Sequence, residues 1–438
     1  MTATDARTIP VDPVSADRLA AQGLTYRVID TSSDADTEAF LRADARGFLD
    51  VDPSAESVQA DREAIEVRRN IGVFEADARE GVWPVATVNS WTTPLTVPGG
   101  ELEMWAISSV TVSGTHRRRG IARALLEGEL RAASAAGTAI AGLTVSEATI
   151  YSRYGFASAV PVARVKVDTR KAGWVGPEQS GRVEYIDRET LRDDLIALHE
   201  SERTARSGQI AGWDARWARM AGLHPAETAA TAIRGVRYRD AEGTVQGAMA
   251  YKLTEIAGTF RSELAIRHVS ALTPDALIAL WRFALQHDLV DTVTADQRPV
   301  DDPITWLVAD QRAVEFTVHD HGWLRILDVT AALQGRTYRA ALDVVLQVGD
   351  PLGFAAGSWR LRVGADGATT VDAVGDADAP AQADVVELDV VALSALFAGG
   401  VSAARLRAAG RLRASADTAA ALDDAFRTAD APVLGLWY

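Results

Sequence analysis

The alternation of strand-like and helix-like patterns between residues 104 and 155 restricts the fold of this chain more than any other feature. Met104–Val112 and Ala139–Val145 have the apolar patterns of buried strands. Arg119–Ala136 has one apolar helical face and ends at Gly137, and a short helix is predicted over 146–155. A strand–helix–strand–helix unit binds ligands beyond the carboxyl ends of its strands. We therefore predict an α/β fold with a ligand site at that edge.

The first of these strands runs into a basic turn that opens the helix. The sequence of this motif is Val110-Thr111-Val112-Ser113-Gly114-Thr115-His116-Arg117-Arg118-Arg119-Gly120-Ile121-Ala122. Free N–H groups and the positive dipole end at a helix start bind phosphate oxygens, and arginines add charge-assisted hydrogen bonds. Gly120 lets the backbone approach a phosphate closely because it has no Cβ. The motif predicts a phosphate site, although by itself it leaves open an exposed basic helix start without a ligand.

The segment after the second strand carries two tyrosines in a short predicted helix. Ser146 suits the N-cap of this helix, and Glu147 suits its first turn. Tyr151 follows about one turn later, whereas Tyr154 lies beside the helix stop at Gly155. A tyrosine in a short helix is most often a packing residue. Position, rather than residue type, therefore has to decide whether either tyrosine has a chemical role.

Together the two motifs resemble the GNAT acetyltransferases, and in particular their enhanced-intracellular-survival (Eis) branch. The Arg-x-x-Gly-x-Ala pattern at 117–122 is similar to the pyrophosphate-binding motif of the superfamily. The Tyr-x-x-x-Gly-Phe pattern at 151–156 is similar to the end of the helix that faces the sulfur of CoA. The resemblance is weaker before Val82 but covers nearly the whole chain, through Glu263-Leu264, Leu272-Thr273-Pro274, Leu280-Trp281-Arg282, Asp301-Asp302-Pro303, Trp323-Leu324-Arg325-Ile326 and the tail from Asp430 to Tyr438.

The resemblance implies an α/β (α+β) fold in three parts. Residues 1–168 are expected to form an N-terminal catalytic GNAT domain, and residues 169–325 a central GNAT-like mixed-sheet domain without its own cofactor motif. Residues 326–438 are expected to form a sterol-carrier-protein-like α+β domain whose C-terminal tail enters the active site. The family also implies acetyl-CoA as the co-substrate, one cofactor site per chain, no metal and a homohexamer.

The resemblance assigns an expected role to each site residue. Tyr151 corresponds to the proton donor for the CoA sulfur, and Tyr438 corresponds, through its α-carboxylate, to the proton acceptor. Two departures from the family pattern are Gly114, where many GNAT proteins have proline, and Trp437, which brings no acidic side chain to the tail. The expected cofactor-binding residues are Val110, Thr111 and Val112 for the pantetheine, Arg117, Arg118, Arg119, Gly120, Ile121, Ala122 and Arg123 for the pyrophosphate, and Ser146 and Glu147 beside the cofactor.

The closing residues of the chain are apolar and bulky, unlike a frayed polar tail. They are Pro432-Val433-Leu434-Gly435-Leu436-Trp437-Tyr438. Such residues lose little conformational entropy on ordering and gain free energy by burial. Without the resemblance, a tail that only packs on the surface would be an equally good interpretation.

The charge balance favours a cationic substrate over nucleic acid. Lys and Arg number 45 and Asp and Glu 60, which gives a net charge of −15. An acidic field attracts cations and repels nucleic acid phosphates, although such a charge can also serve solubility only. The sequence has no cysteine, so disulfides, thiolate metal sites and a cysteine nucleophile are excluded. No apolar run approaches the ~18 residues of a membrane span, and the N-terminus has no signal-peptide core. These features fit a cytoplasmic protein without membrane insertion.

Some expectations concern secondary structure outside the two motifs. A helix is predicted over Glu38–Asp50, a strand over Val82–Val88, and turns over Gly364–Ala383. The seven histidines are scattered, and His319 and His321 flank Asp320 in what we expect to be an exposed turn. No metal site is therefore predicted.

Two other functions compete with the acetyl transfer that the resemblance implies. One is a non-catalytic protein that binds and sequesters an apolar or cationic ligand on a GNAT plus carrier-domain scaffold. The presence of both Arg117–Ala122 and Tyr151 weighs against it, because a binding protein needs neither. The other is a narrow protein Nα- or lysine acetyltransferase. Within the family, the expected acceptors are polyamino compounds, such as aminoglycosides, and lysine side chains.

Overall fold

A computed structural model describes residues 5–227, 229–375 and 384–438 of the chain. Its strands are numbered here in chain order. They are β1 Leu24–Val28, β2 Arg69–Glu75, β3 Ala86–Val97, β4 Gly100–Val112, β5 Ile140–Thr144, β6 Ala157–Asp168, β7 Arg182–Ile186, β8 Ile233–Arg239, β9 Val245–Glu255, β10 Ser262–Ala271, β11 Val290–Arg298, β12 Val314–Ile326, β13 Leu342–Gly349, β14 Gly357–Val363, β15 Thr369–Val374, β16 Asp384–Asp389 and β17 Leu412–Arg413.

Most of the α-helices begin at a serine, threonine or aspartate whose side chain accepts a hydrogen bond from the first helical turn, as an N-cap does. The α-helices are α1 Pro13–Ala20, α2 Asp34–Gly47, α3 Ala55–Glu66, α4 Ile121–Ala135, α5 Thr169–Ala172, α6 Arg188–Arg203, α7 Asp214–Ala221, α8 Pro274–Leu285, α9 Val329–Gln334, α10 Val390–Phe397, α11 Ala403–Ala408 and α12 Ala416–Phe426. Short 3₁₀ helices include Gly114–His116 and Tyr151–Tyr154.

The described residues fall into two compact units, neither of which is continuous in sequence. Unit 1 consists of the chain up to Val160 together with Gly322–Ala429 and Tyr438. Unit 2 consists of Pro161–His321 and Asp430–Trp437. This division differs from the predicted boundaries after residues 168 and 325, and the three-domain division of the chain stays a prediction.

Unit 1 contains two sheets. In the first, the strand order is β1-β2-β3-β4-β5, and Gly322–Ile326 of β12 completes the sheet by pairing antiparallel with β5. All neighbours in this sheet are antiparallel except β4 and β5, which are parallel. The second sheet has the order β15-β14-β13-β16-β17, with one parallel pair, β13 and β16. Both sheets are therefore of the mixed type.

Unit 2 contains one mixed sheet that follows the same plan as the first sheet of unit 1. Its strand order is β7-β8-β9-β10-β11, and Ala163–Asp168 of β6 completes it by pairing antiparallel with β11. Only β10 and β11 are parallel. Helix α8 connects this parallel pair, as α4 connects β4 to β5. The sheet of unit 2 thus repeats the strand–helix–strand unit found in the first sheet of unit 1.

The core of unit 1 lies between α4 and its first sheet. Leu125, Leu126 and Leu130 of α4 are fully buried in one cluster with Trp105 and Ile107 of β4. Burying an aliphatic or aromatic side chain of this size stabilises the fold by about 1.5–3 kcal/mol. The same cluster is extended by Leu352 and Phe354, which come from the loop between β13 and β14. The C-terminal part of unit 1 therefore shares a core with the N-terminal part.

A buried ion pair joins these same two parts of unit 1. The Arg325 guanidinium donates to both carboxylate oxygens of Asp350 at 2.8 and 2.7 Å, and both side chains are fully buried. Arg325 also donates from Nε to the carbonyl of Tyr154 at 3.2 Å. Asp350 accepts two further hydrogen bonds, from the N–H groups of Leu352 and Ala355. Each charge is therefore neutralised and fully hydrogen-bonded, which a buried ion pair needs in order to be tolerated.

Three expectations about secondary structure are wrong in detail. The strand predicted at Val82–Val88 begins at Ala86 and continues to Val97, because it forms a long hairpin with β4 through a turn at Gly99. Part of the stretch predicted as turns forms β15, because it pairs with β14. Residues 376–383 of that stretch lie outside the described residues. His321 lies in β12 and is fully buried, because its ring stacks on Trp437 and its Nε2 contacts the Leu436 carbonyl.

Two further observations concern residues 5–227, 229–375 and 384–438 only. None of their helices combines the length and the apolar character needed to cross a membrane. No three of their His, Asp or Glu side chains come together in a way that would hold a metal ion.

We expect that replacing Arg325 by methionine will lower the free energy of unfolding by about 3–5 kcal/mol, because the Asp350 carboxylate would remain buried without its partner. Urea-induced unfolding measures this change. The matched control is Arg360→Met, which removes the exposed pair of Arg360 with Asp343 at 2.7 Å and should cost only ~0–1 kcal/mol. Equal losses for the two variants would contradict the importance of the buried pair.

Candidate active site

The two parallel strands of unit 1 separate at their carboxyl ends. Pairing between β4 and β5 ends at Ile107 and Leu143, although β4 continues to Val112. Beyond this point β4 pairs only with β3. The result is an opening between the strands at the edge where the sequence predicts a ligand site.

A β-bulge redirects β4 at the start of this opening. The register with β3 shifts between Thr87 and Asn89, and Ser109 adopts a left-handed backbone with φ 54°. Further along, the N–H of Ser113 donates to the Val85 carbonyl at 2.8 Å. Successive residues of a strand direct their backbone groups to opposite sides. The N–H and C=O of Val112 therefore face the opening rather than β3.

The basic turn after β4 leaves the start of α4 without a side-chain cap. Both Arg118, with φ 63°, and Gly120, with φ 75°, adopt the left-handed backbone. A Cβ on Gly120 would meet nothing within 4 Å, so its backbone conformation rather than crowding favours glycine here. Gly120 is the N-cap of α4 and supplies no side-chain hydrogen bond. Left-handed residues next to uncapped N–H groups form a concave site that suits an anion.

The predicted phosphate-binding side chains differ in their surroundings. Arg117 and Arg118 are exposed, whereas Arg119 donates to the carbonyl of Gln22 at 3.1 Å. Arg123 is paired with Glu127 at 2.5 Å. Ile121 is 1% exposed and belongs to the core, so only its backbone can contact a ligand. Ala122 is half-buried in the first turn of α4.

The segment that follows β5 differs from the prediction. Ser146 and Glu147 are exposed, and neither begins a helix. Turns occupy 148–150, and only Tyr151–Tyr154 form a short 3₁₀ helix, without any side-chain cap. The Glu147 carboxylate instead accepts a hydrogen bond from the Thr149 hydroxyl at 2.7 Å. The predicted N-cap at Ser146 is thus wrong, because the residues that follow it form turns and then a 3₁₀ helix, which ends at the left-handed Gly155.

Both tyrosines of the 3₁₀ helix are buried. The Tyr151 ring packs edge-on against Phe156 and Trp323, with ring centroids 6.3 and 6.5 Å apart. Burial raises the pKa of the Tyr151 phenol, and the nearby Glu147 carboxylate adds to this effect. Among the described residues, none makes a hydrogen bond with the Tyr151 hydroxyl. The phenol therefore stays protonated at neutral pH and is able to donate.

The last residue of the chain lies at the carboxyl end of β5. The N–H of Tyr438 donates to the Thr144 hydroxyl at 3.3 Å, and the same hydroxyl donates to an oxygen of the Tyr438 carboxylate. The Tyr438 ring packs edge-on against Trp91, with centroids 5.4 Å apart. Its phenol lies over Gly142, where a Cβ would come within 3.2 Å of the hydroxyl. Thr144, Trp91 and Gly142 thus fix both ends of Tyr438.

Helix α2 brings a buried carboxyl group to the β-bulge. Asp44 lies beside the Ser109 side chain, and one of its carboxylate oxygens is buried without a partner. Burial raises the pKa of Asp44 to about 7, and the nearby carboxylates of Asp50 and Asp61 contribute to the rise. Arg68 lies over the Trp91 ring at 3.7 Å, and burial lowers its pKa to about 10.

Three family models match the chain in succession. A model described as an acetyltransferase (GNAT) domain matches residues 28–159, and a second one with the same description matches residues 208–326. A model described as a sterol carrier protein domain matches residues 329–435. These matches confirm the predicted fold class, in which two GNAT domains precede a carrier-type α+β domain.

Full-length relatives decide the family. An uncharacterized N-acetyltransferase of Streptomyces avermitilis is 34% identical over 412 residues, which are 91% of this chain and 96% of the relative. The N-acetyltransferase Eis of Mycobacterium tuberculosis is 31% identical over 355 residues, which are 77% of this chain and 82% of that protein. The chain belongs to the Eis-type GNAT N-acetyltransferases. The crystal structure of Eis1 from Mycobacterium abscessus, 29% identical, matches with a TM-score of 0.78 and covers 95% of this chain and 100% of that one.

For this Eis-type acetyltransferase, sequence reasoning missed several residues at the opening. Asp44, Trp91 and Thr144 each contact a residue of the opening or the tail, as described above. Asp44 lies in a predicted helix, and Thr144 lies at the end of a predicted strand, but neither belongs to a motif. Of these residues, only Thr144 could have been suspected from the sequence, because it lies two residues before the predicted cofactor residue Ser146. The roles of the predicted site residues stay predictions.

The pKa of Asp44 makes a testable contribution to stability. Because this pKa is about 7 in the folded chain and ~3.9 in an unfolded one, the folded state binds more protons between these values. The contribution of Asp44 to stability therefore falls as the pH rises through that window. We expect Asp44→Asn to gain ~2–3 kcal/mol over the unmodified protein between pH 5 and pH 8.

Urea unfolding at several pH values measures this gain. Asp17→Asn, which alters an exposed carboxylate on α1, is the control and should show no such gain. A difference between Asp44→Asn and the unmodified protein that does not vary with pH would show that Asp44 is ionised throughout.

Proposed function

We propose that this Eis-type enzyme transfers the acetyl group of acetyl-CoA directly to amines of polyamino acceptors, such as aminoglycoside-like compounds and lysine side chains. The observation that carries the proposal is the opening between β4 and β5, with the Tyr438 carboxylate bound to Thr144 at its edge. A reactive thioester and an amine held together in such an opening avoid much of the entropic cost of a bimolecular reaction.

In the proposed complex, the β4 end and the basic turn bind the co-substrate. Acetyl-CoA supplies the thioester whose carbonyl carbon the amine attacks. Val110–Val112 bind the pantetheine through backbone groups, and the Val112 N–H polarises the carbonyl oxygen. The uncapped N–H groups after Gly120, with Arg117 and Arg118, bind the pyrophosphate. Arg123 contributes less than the resemblance implies, because it is paired with Glu127.

Tyr151 acts as the general acid in this proposal. As the new C–N bond forms and the C–S bond breaks, the sulfur leaves as a thiolate unless it receives a proton. The Tyr151 phenol is protonated at neutral pH and has no protein partner among the described residues, which suits this role. A positioned acid of this kind contributes ~10²–10⁴-fold to the rate.

The Tyr438 carboxylate accepts the proton that the amine loses. A carboxylate that accepts a hydrogen bond from Thr144 has a fixed orientation, and it carries the negative charge that a cationic acceptor needs. Asp44 is a second candidate for this step, because its pKa of about 7 matches that of a base working near neutral pH. It lies in the helix from which a base would have to come if the tail were not used.

The acceptor class follows from the charges beside the opening. Asp44, Asp61 and the terminal carboxylate are all acidic, and Arg68 is the basic side chain among them. The negative electrostatic potential of these acidic groups favours acceptors with more than one ammonium group. A narrow protein N-acetyltransferase remains the alternative, and profiling of polyamines against peptide amines distinguishes the two.

We expect Tyr151→Phe to lower kcat about a hundredfold or more with little change in acetyl-CoA affinity, because it removes a general acid without removing the ring. Steady-state kinetics and calorimetry measure the two quantities. Tyr154→Phe is the matched control, as it alters a buried tyrosine of the same 3₁₀ helix, and it should stay within a few-fold of the unmodified enzyme. Full turnover by Tyr151→Phe would make Tyr151 a packing residue.

We expect a short C-terminal tag after Tyr438, or deletion of Trp437 and Tyr438, to abolish acetyl transfer while acetyl-CoA binding and folding persist. An N-terminal tag should have no effect. Thr144→Val should lower kcat strongly because it removes the hydroxyl that binds the carboxylate, and Thr144→Ser should restore it. A fully active tagged enzyme would exclude the carboxylate, and Asp44→Asn would then be the variant that loses activity.

Several further expectations from the sequence and from the family resemblance stay predictions for this chain. They are a homohexameric assembly, a single acetyl-CoA site per chain, a cytoplasmic location, and the lack of nucleic acid and membrane partners. Light scattering tests the first of these directly.

A further inference from the structure

The parallel strands of unit 2 separate in the same way as those of unit 1. Pairing between β10 and β11 ends at Ile266 and Ala295, although β10 continues to Ala271. The register of β10 with β9 shifts directly after Ile266, which marks a bulge at the same point of the strand. The separated ends border a cavity of about 690 Å³, called the unit 2 cavity here. Its wall also includes α6, the start of α8, Val433 and Gly435.

The unit 2 cavity lacks the features that hold a phosphate. Only Leu272 and Thr273 connect β10 to α8, without a basic residue. The Thr273 hydroxyl caps the helix by accepting from the N–H of Ala276 at 3.2 Å, and Pro274 has no N–H. In unit 1, by contrast, three arginines and an uncapped helix start occupy this position. The cavity therefore does not suit CoA or another phosphorylated ligand.

The charges in the wall are neutralised with one exception. Arg206 pairs with Asp301, and Arg298 pairs with the buried Asp302, each at 2.7 Å. The other charged side chains of the wall have ion-pair partners as well, namely Arg267 with Glu227, Asp296 with Arg164, and Asp430 with Arg206. Within the described part of the chain, Glu202 is the exception, because no basic side chain lies within ion-pair distance of its carboxylate.

Glu202 has no ion-pair partner of its own. The Arg298 and Arg206 guanidinium groups favour its charged form from a greater distance, but each is already paired with an aspartate. The Ser270 side chain and the Ala271 backbone also favour the charged form. Burial raises its pKa. The two histidines of the wall do not balance it, because burial lowers the pKa of His199 and of His268. A half-buried acid beside open volume and without an ion-pair partner of its own is stabilised by a cation placed in that volume.

Much of the rest of the wall is apolar. Ile266, Leu272, Leu277, Ile278 and Val433 contribute aliphatic surface to the cavity. Apolar walls with a few placed polar groups are typical of small-molecule sites. We propose that the unit 2 cavity binds an organic amine, with its ammonium group on Glu202 and its apolar body against these side chains. This inference does not rest on the proposed function.

Binding of 4-phenylbutylamine to the full-length chain, without acetyl-CoA, tests this inference. Hydrogen exchange followed by mass spectrometry locates the binding, so that a second site elsewhere in the chain does not confuse the result. We expect slower exchange in residues 199–209 and 266–274 and in the tail segment 430–437, whose Gly435 N–H donates to Gln209 of the wall. The neutral 4-phenylbutan-1-ol and the anionic 4-phenylbutanoate should give little or no protection there.

Variants of α6 complete the test. In Glu202→Gln, at least ten times more amine should be needed to reach the same protection. The substitution removes a charge-assisted hydrogen bond to the amine but keeps the shape of the side chain. The matched control is Glu200→Gln, which alters an exposed acid that pairs with Arg203, and it should bind like the unmodified protein. Equal protection by the alcohol, undiminished protection in Glu202→Gln, or no protection in these segments would each overturn the proposal. None of these outcomes depends on the result of the C-terminal tag experiment.

Discussion

The loss of pairing between β4 and β5 beyond Ile107 and Leu143 is the constraint on which the candidate active site depends. Two parallel strands that stay paired offer no backbone groups to a ligand, because each N–H and C=O between them is already used. The bulge at Ser109 ends the pairing and leaves the groups of Val112 facing the opening. The carboxyl group of Asp44 and the terminal residue Tyr438 both lie at this place, and so the chemistry we propose is built around a break in a sheet.

The repetition of this break in unit 2 places one backbone plan in two different chemical surroundings. In both units the bulged strand and the next parallel strand separate, but the connection to the following helix differs in length and charge. The long basic turn of unit 1 suits an anion, whereas Thr273 and Pro274 close the corresponding helix start in unit 2. Glu202, an acid without an ion-pair partner of its own, is the basis of the ligand charge that we propose for unit 2. In both proposals local turn chemistry and side-chain charge, rather than sheet topology, distinguish the two ligand classes.

Local patterns in the sequence are sufficient for β4, α4 and β5 and for the helix stop at Gly155, because each depends on nearby residues. They fail for Ser146, which looks like an N-cap but is followed by turns and a 3₁₀ helix rather than an α-helix. The charge states of Asp44 and Glu202 cannot be predicted from local sequence patterns, for a different reason. Their pKa values depend on desolvation and on neighbours from distant parts of the chain. The burial of His321 likewise depends on Leu436 and Trp437, which are far away in sequence.

The completion of the first sheet by Gly322–Ile326 has a consequence for biosynthesis. While the ribosome makes the chain, β5 is finished long before its outer neighbour exists, because most of unit 2 is translated in between. At a synthesis rate of ~5–20 residues per second, this edge stays unpaired for roughly ten to forty seconds. An unpaired apolar strand edge is a template for association between nascent chains. The order of elements along the gene thus places a demand on chaperones that a domain completed within its own segment would not make.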